Sequence, residues 1–74
     1  MRKLPQGLSG QELRKALARA GFHVKRQRGS HVIMRRDEPF AQVVVPDHTS
    51  IDPGTLSHIL DGADISIDEL LDLL

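Results

Sequence analysis

Three short runs of strand-forming residues lie so close together in this chain that only one mode of pairing is open to them. Phe22-His23-Val24-Lys25-Arg26 alternates apolar with polar residues, as a half-buried strand does. His31 to Arg36 carries Val32-Ile33-Met34, and Phe40 to Val45 is β-rich and ends at Pro46. Gly29-Ser30 separates the first two runs, and Asp37-Glu38-Pro39 the second two. A parallel connection needs a crossover of a dozen or more residues, so these links require an antiparallel meander.

Helices flank the meander. Ser9-Gly10-Gln11-Glu12 is a capping box: Ser9 accepts from the Glu12 backbone N–H, and Glu12 reaches back. Leu8 and Leu13 occupy the two positions of a hydrophobic staple. Leu13, Ala16, Leu17 and Ala20 recur at helical spacing, and Gly21 stops the run, which predicts a helix over about Gly10 to Ala20. Asp52-Pro53 reads as N-cap and N1 of a second helix, with Leu56, Ile59 and Leu60 at core spacing and a stop near Asp61-Gly62. Ser66-Ile67-Asp68-Glu69 repeats the capping box, with Ile65 and Leu70 as its staple. The last helix holds Leu70, Leu71, Leu73 and Leu74, more apolar than one buried face requires, so some of them are expected to cover the sheet and some to face a partner. The order is α-β-β-β-α plus a short C-terminal helix. This is an α+β sandwich of a three-stranded antiparallel sheet and helices, in a single domain over residues 1–74.

At 74 residues the chain builds one small core, and with no Cys it has neither a disulfide nor a thiolate metal site to brace it. Cysteine-free composition fits a reducing cytosol, so a cytoplasmic location is expected. No apolar run approaches the roughly 20 residues that span a bilayer, and Met1-Arg2-Lys3-Leu4-Pro5 has no apolar stretch behind it of the kind a signal peptide needs. The formal charge of zero conceals a split. All ten Lys and Arg lie at or before Arg36, opposed there only by Glu12, and the other nine acids begin at Asp37. Such asymmetry points to a basic surface for an anionic partner and an acidic tail, unless the halves interleave and neutralise each other as ion pairs.

The basic charge crowds around one histidine. His31 follows Gly29-Ser30, with Lys25, Arg26 and Arg28 on the incoming side and Arg35 and Arg36 on the outgoing side. RNA carries its own nucleophile, the 2′-OH, beside each phosphodiester. Its cleavage needs a base for that proton, an acid for the leaving 5′ oxygen, and cations on the phosphate. Imidazole titrates near neutral pH and serves as either acid or base without a metal. The bland alternative for His31 is a surface histidine in a strand, and for the cations a solvated edge that discourages strand pairing. His48, in Val45-Pro46-Asp47-His48, is a second proton carrier or a loop hydrogen-bonding group. His23 and His58 read as exposed. His48, Asp47 and Asp52 are a conceivable metal set, but their spacing matches no zinc pattern. No cofactor or metal is expected. Phe22 and Phe40 are the only aromatics, and both are expected in the core, which leaves no platform for stacking bases.

Across nearly its whole length the chain resembles the HicA family of small toxins from bacterial toxin–antitoxin pairs. The resemblance runs through Leu8-Ser9-Gly10-Gln11-Glu12-Leu13, Ala20-Gly21-Phe22 and Arg26-Gln27-Arg28-Gly29-Ser30-His31. It continues through Val45-Pro46-Asp47-His48 and Pro53-Gly54-Thr55-Leu56 to Ile59-Leu60. Each piece is unspecific; their order and spacing are not. The resemblance implies a fold like the double-stranded-RNA-binding domain, with helices on one face of the sheet. It implies metal-independent mRNA cleavage with His31 as the catalytic residue, and an antitoxin partner of the HicB family. On this reading Lys25, Arg26, Arg28, Ser30 and Arg35 hold phosphate, and His48 is a secondary candidate. The chain departs from the family where basic residues usually follow Gly-Thr-Leu: Ser57 and His58 stand there, with Asp61 beyond. Two other readings use the same residues: a non-catalytic RNA-binding module, or a protein-interaction domain that docks through its acidic half.

Overall fold

The computed structural model describes residues 2–74. Its elements are α1 (Gly10–Arg19), β1 (His23–Arg28), β2 (His31–Asp37), β3 (Phe40–Pro46), α2 (Pro53–Ala63) and α3 (Ile67–Leu73). The strands form one antiparallel sheet in the order β1-β2-β3, so the short links produce the expected meander. Both capping boxes are formed: Ser9 with Glu12 at α1, and Ser66 with Glu69 at α3. Asp52 caps α2, with Pro53 at its first position.

In β2 and β3 burial alternates. Val32, Met34, Ala41, Val43 and Val45 are buried and point to one side, where they join Leu13 and Leu17 of α1, Leu56, Ile59 and Leu60 of α2, and Leu70 of α3 in a single core. Leu13 and Leu17 are wholly inaccessible, and each such burial contributes roughly 1.5–3 kcal/mol. The helices thus cover one face of the sheet and leave the other open. No helix among the described residues is long and apolar enough to cross a membrane.

Four expectations need correction. The first strand is not half-buried. All six residues of β1 are exposed, Val24 at 49%, because the helices close the core over β2 and β3 and leave β1 uncovered. A bulge also breaks its alternation. Val24 pairs with Met34, yet Arg26 pairs with Ile33 and Arg28 with His31, so one extra residue is taken up between Val24 and Arg26. An unbulged strand would hold Val24, Arg26 and Arg28 on one face; the slip turns the two arginines to the face opposite the core. The second helix runs past Gly62 to Ala63, because Asp64, in the left-handed region at φ 57°, makes the stop, while Gly62 sits against Val43. Phe22 is buried as expected, but Phe40 opens β3 on the uncovered side and is 65% exposed. In the last helix Leu70 is buried, Leu73 packs on the core edge and Leu74 is 46% exposed.

One backbone contact locks the helix layer to the end of β3. A Cβ placed on Gly10 would lie 2.1 Å from the Pro46 carbonyl oxygen and 3.0 Å from the Asp47 Cα, both rigid backbone atoms. Alanine at a helical position ordinarily stabilises by up to about 1 kcal/mol over glycine. Here the expected sign is reversed. Gly10→Ala should lower the unfolding free energy by about 1–3 kcal/mol, as overpacking does, read from urea unfolding of both proteins; an unchanged or raised midpoint would refute this account of the contact.

Candidate active site

The start of β2, the end of β3, the loop after it and the first turn of α2 enclose an open cleft of about 340 Å³. His31, Val44, Pro46, His48, Ile51, Asp52 and Thr55 line it. His31 reaches it because Gly29, at φ +56°, and Ser30 turn the chain tightly and place His31 directly opposite Pro46. The loop that brings His48 is pinned through its backbone. The Asp47 N–H donates to the Ser30 carbonyl at 2.6 Å, the Gly10 N–H donates to the His48 carbonyl at 2.8 Å, and the Ile51 N–H donates to the Leu8 carbonyl at 2.7 Å. Ile51 is buried beneath. Arg14 of α1 adds a contact to Asp47 at 3.5 Å. An exposed histidine is therefore carried on a loop tied to both a strand turn and a helix start.

Asp52 closes the far wall. Its carboxylate accepts from the Thr55 hydroxyl at 2.6 Å and from the Thr55 backbone N–H at 3.1 Å. These bonds to the charged form, the hydroxyl's first and the backbone's second, hold its pKa below the usual value. The cleft thus offers two imidazoles, one carboxylate committed to a helix cap and one hydroxyl. Two groups able to carry protons, on different elements around one opening, are what acid–base chemistry on a bound ester requires.

The expected cations occupy the rim rather than the cleft. Cross-strand pairing sets Arg28 directly beside His31, and Arg26 beside Ile33, on the open face. Lys25 lies in the bulge. Among the described residues, none of the three is in an ion pair. Ser30 is exposed in the turn, its carbonyl taken by Asp47. Arg35 lies farther along β2, tied to Asp37 at 2.8 Å and stacked over Phe40 at 5.3 Å from the ring centre. Arg36 faces the other way: it stacks on Phe22 at 4.8 Å and donates to the Pro39 and Ala63 carbonyls. His23 and His58 are exposed. Among the described residues no three His, Asp or Glu side chains gather as a metal set, and His48, Asp47 and Asp52 do not form one. In the sequence Asp52 is a helix cap and a member of a conceivable metal set, and Thr55 is part of the Pro53-Gly54-Thr55-Leu56 motif; neither is placed beside His31. The signal that could have placed them at the cleft was the short link from His48 to the Asp52 cap.

The two charged halves of the chain interleave in part. Arg2 meets Asp68 and Asp72 of α3 at 3.6 and 3.2 Å, and Arg19 donates to the Leu73 carbonyl. Exposed pairs of this kind contribute at most about 1 kcal/mol each. Their effect is on distribution, since the basic residues of the amino-terminal segment and α1 are partly matched while those of β1 remain open.

Compared with known families, residues 10–65 match the model described as the HicA toxin of bacterial toxin–antitoxin, a span of more than half the chain that begins at Gly10 and ends at Ile65. No curated protein matches.

The Asp52 cap generates a pH prediction. A carboxyl whose folded pKa is depressed adds stability above its unfolded pKa and loses it as pH falls through the folded value. Asp52→Ala should be less stable than the parent at pH 7, with the gap between their thermal midpoints narrowing below about pH 3.9, the ordinary aspartate pKa. A gap unchanged from pH 7 to pH 2 would show that the charge of Asp52 does not serve the cap.

Proposed function

This chain belongs to the HicA family, a toxin of a bacterial toxin–antitoxin pair, and on that premise we propose that it is a metal-independent endoribonuclease acting on mRNA. In this reading the 2′-oxygen attacks the adjacent phosphorus as a base removes its proton, and the bond from phosphorus to the 5′ oxygen breaks as an acid protonates the leaving group. The products are a 2′,3′-cyclic phosphate and a 5′-hydroxyl. His31 is the catalytic acid or base, and His48, on the loop that lines the same cleft, is the candidate for the complementary proton transfer. Arg28 beside His31, with Arg26 and Lys25 behind it, neutralises phosphate, and the Ser30 turn adds hydrogen bonds as charge develops. Arg35 extends the anion-binding surface along β2. The single observation that carries the reading is that two imidazoles from separate elements line one open cleft at the end of an unpaired basic strand.

The partner implied by the family is an antitoxin. We take it to be a HicB-like protein that covers this cleft, and the mRNA target places the pair in the cytoplasm. A binding module without catalysis remains the competing reading, favoured by the position of Lys25, Arg26 and Arg28 outside the cleft.

Induced expression of the parent and of His31→Ala in a bacterial host, with growth, mRNA integrity and soluble protein followed together, separates the two. Growth arrest and mRNA loss with the parent alone are expected, and with purified protein a cleavage rate about 10²–10⁴-fold lower for His31→Ala. Arrest by both with RNA intact would establish binding in place of catalysis. An all-deoxy strand should survive, and its cleavage at a similar rate would exclude the 2′-OH as nucleophile. Arg28→Gln should weaken binding across RNA sequences and reduce the slope of log affinity against log salt by about 0.7, one phosphate contact on a single strand; an unchanged slope would remove Arg28 from the phosphate-binding set.

A further inference from the structure

The uncovered face of the sheet carries more than the histidine. Directly paired residues share a face, so the pairings order it into rows. Arg28, His31 and Pro46 make the first, and Arg26, Ile33 and Val44 the second. His23, Arg35 and Gln42 make the third, and Asp37 with Phe40 the fourth. Read down the columns, β1 supplies two unpaired arginines and a histidine, while the middle of the face is floored by Ile33 and Val44, the latter 49% exposed. At the far end Phe40 is 65% exposed. The Arg35 guanidinium lies 5.3 Å from its ring centre and is held there by Asp37 at 2.8 Å. Phe40 is one of only two aromatics in the chain, and its exposed ring is braced by a tethered arginine at the end of this apolar strip.

We infer that this face is a track for single-stranded RNA, in which a nucleobase stacks on Phe40 at one end while the scissile phosphate sits at His31 at the other. The inference rests on the ribonuclease reading and adds to it the form of the substrate and a residue that positions it. Six residues of strand separate the row of His31 from that of Phe40, about 20 Å at 3.3–3.4 Å per residue. The stacked base therefore lies several nucleotides from the bond that breaks. Every base has a π-face, so Phe40 selects unpaired RNA over a duplex without reading its sequence. The rows fix the polarity of the contact: phosphates run along the β1 side, where Arg26 and Arg28 are free, and bases lie over the apolar floor of β2 and β3. Gln42, opposite Arg35, offers an amide to a base edge. Phe40 is a positioning residue here and takes no part in bond breaking.

The test uses full-length protein carrying His31→Ala, so that RNA stays intact during measurement, and a fluorescein-labelled random-sequence RNA of ten nucleotides. Adding Phe40→Ala should weaken binding about 5- to 140-fold, the loss of one stacked base. Adding Phe40→Trp should restore parent-like affinity. A hairpin-free RNA duplex should show no such dependence on residue 40. Because Phe40 is outside the core, the three proteins should share one unfolding midpoint, which excludes a folding defect as the cause. Equal affinity of the parent and Phe40→Ala forms for single strands would overturn the track while leaving ribonuclease activity standing. Equal losses on single strand and duplex would also overturn it. If no form binds RNA and the chain with His31 restored cleaves none, the ribonuclease reading falls and the track falls with it.

Discussion

The cleft depends on a contact that involves no side chain. Gly10 lets the first turn of α1 approach Pro46 and Asp47 more closely than any Cβ would allow. In that approach its N–H reaches the His48 carbonyl. Together with the bonds from Asp47 to Ser30 and from Ile51 to Leu8, this fastens the segment after β3 at both ends. Backbone bonds between rigid elements fix position better than long side chains do, and catalytic groups tolerate little positional slack. The same contact ties core packing to the cleft, because α1 is oriented by Leu13, Leu17 and the Ser9–Glu12 box.

Electrostatics is arranged by geometry more than by totals. The chain is neutral overall, and several of its cations meet acids from the other half. Among the described residues the edge-strand cations Lys25, Arg26 and Arg28 are in no ion pair, and the bulge turns the two arginines toward the face of His31. That face has no helix over it. A sheet buried on one side and bare on the other is the ordinary economy of a small antiparallel fold. Here the bare side joins the histidine cleft to a basic margin and an exposed aromatic ring.

Much of this was legible in the residues. The short links specified the meander, since no parallel alternative fits them. The two Ser-x-x-Glu boxes and the Asp-Pro pair marked all three helix starts, because capping is chemistry between near neighbours. His31 stood out through local crowding of charge. The resemblance through Gly-Ser-His and the later motifs reached the same family that the match over residues 10–65 shows. Phe40 was misplaced, and the face taken by Arg26 and Arg28 and the cleft position of Asp52 and Thr55 were not foreseen. Each depends on which side of an element meets another element. Hydrophobicity alone assigned Phe40 to the core, and the alternation of β1 did not foresee the slip after Val24.

The sequence by itself determined the order of elements, their caps, the antiparallel pairing and the histidine at the turn. These follow from interactions that span a few residues, for which spacing along the chain is spacing in space. Only the tertiary structure decided that His31 and His48 share one opening, that Arg26 and Arg28 turn to the same face, and that Phe40 lies outside. The first rests on the close approach of Gly10 to Pro46 and the second on a one-residue slip in strand pairing. Both are set by the packing of the whole domain, and neither leaves a mark in the local pattern of apolar and polar residues.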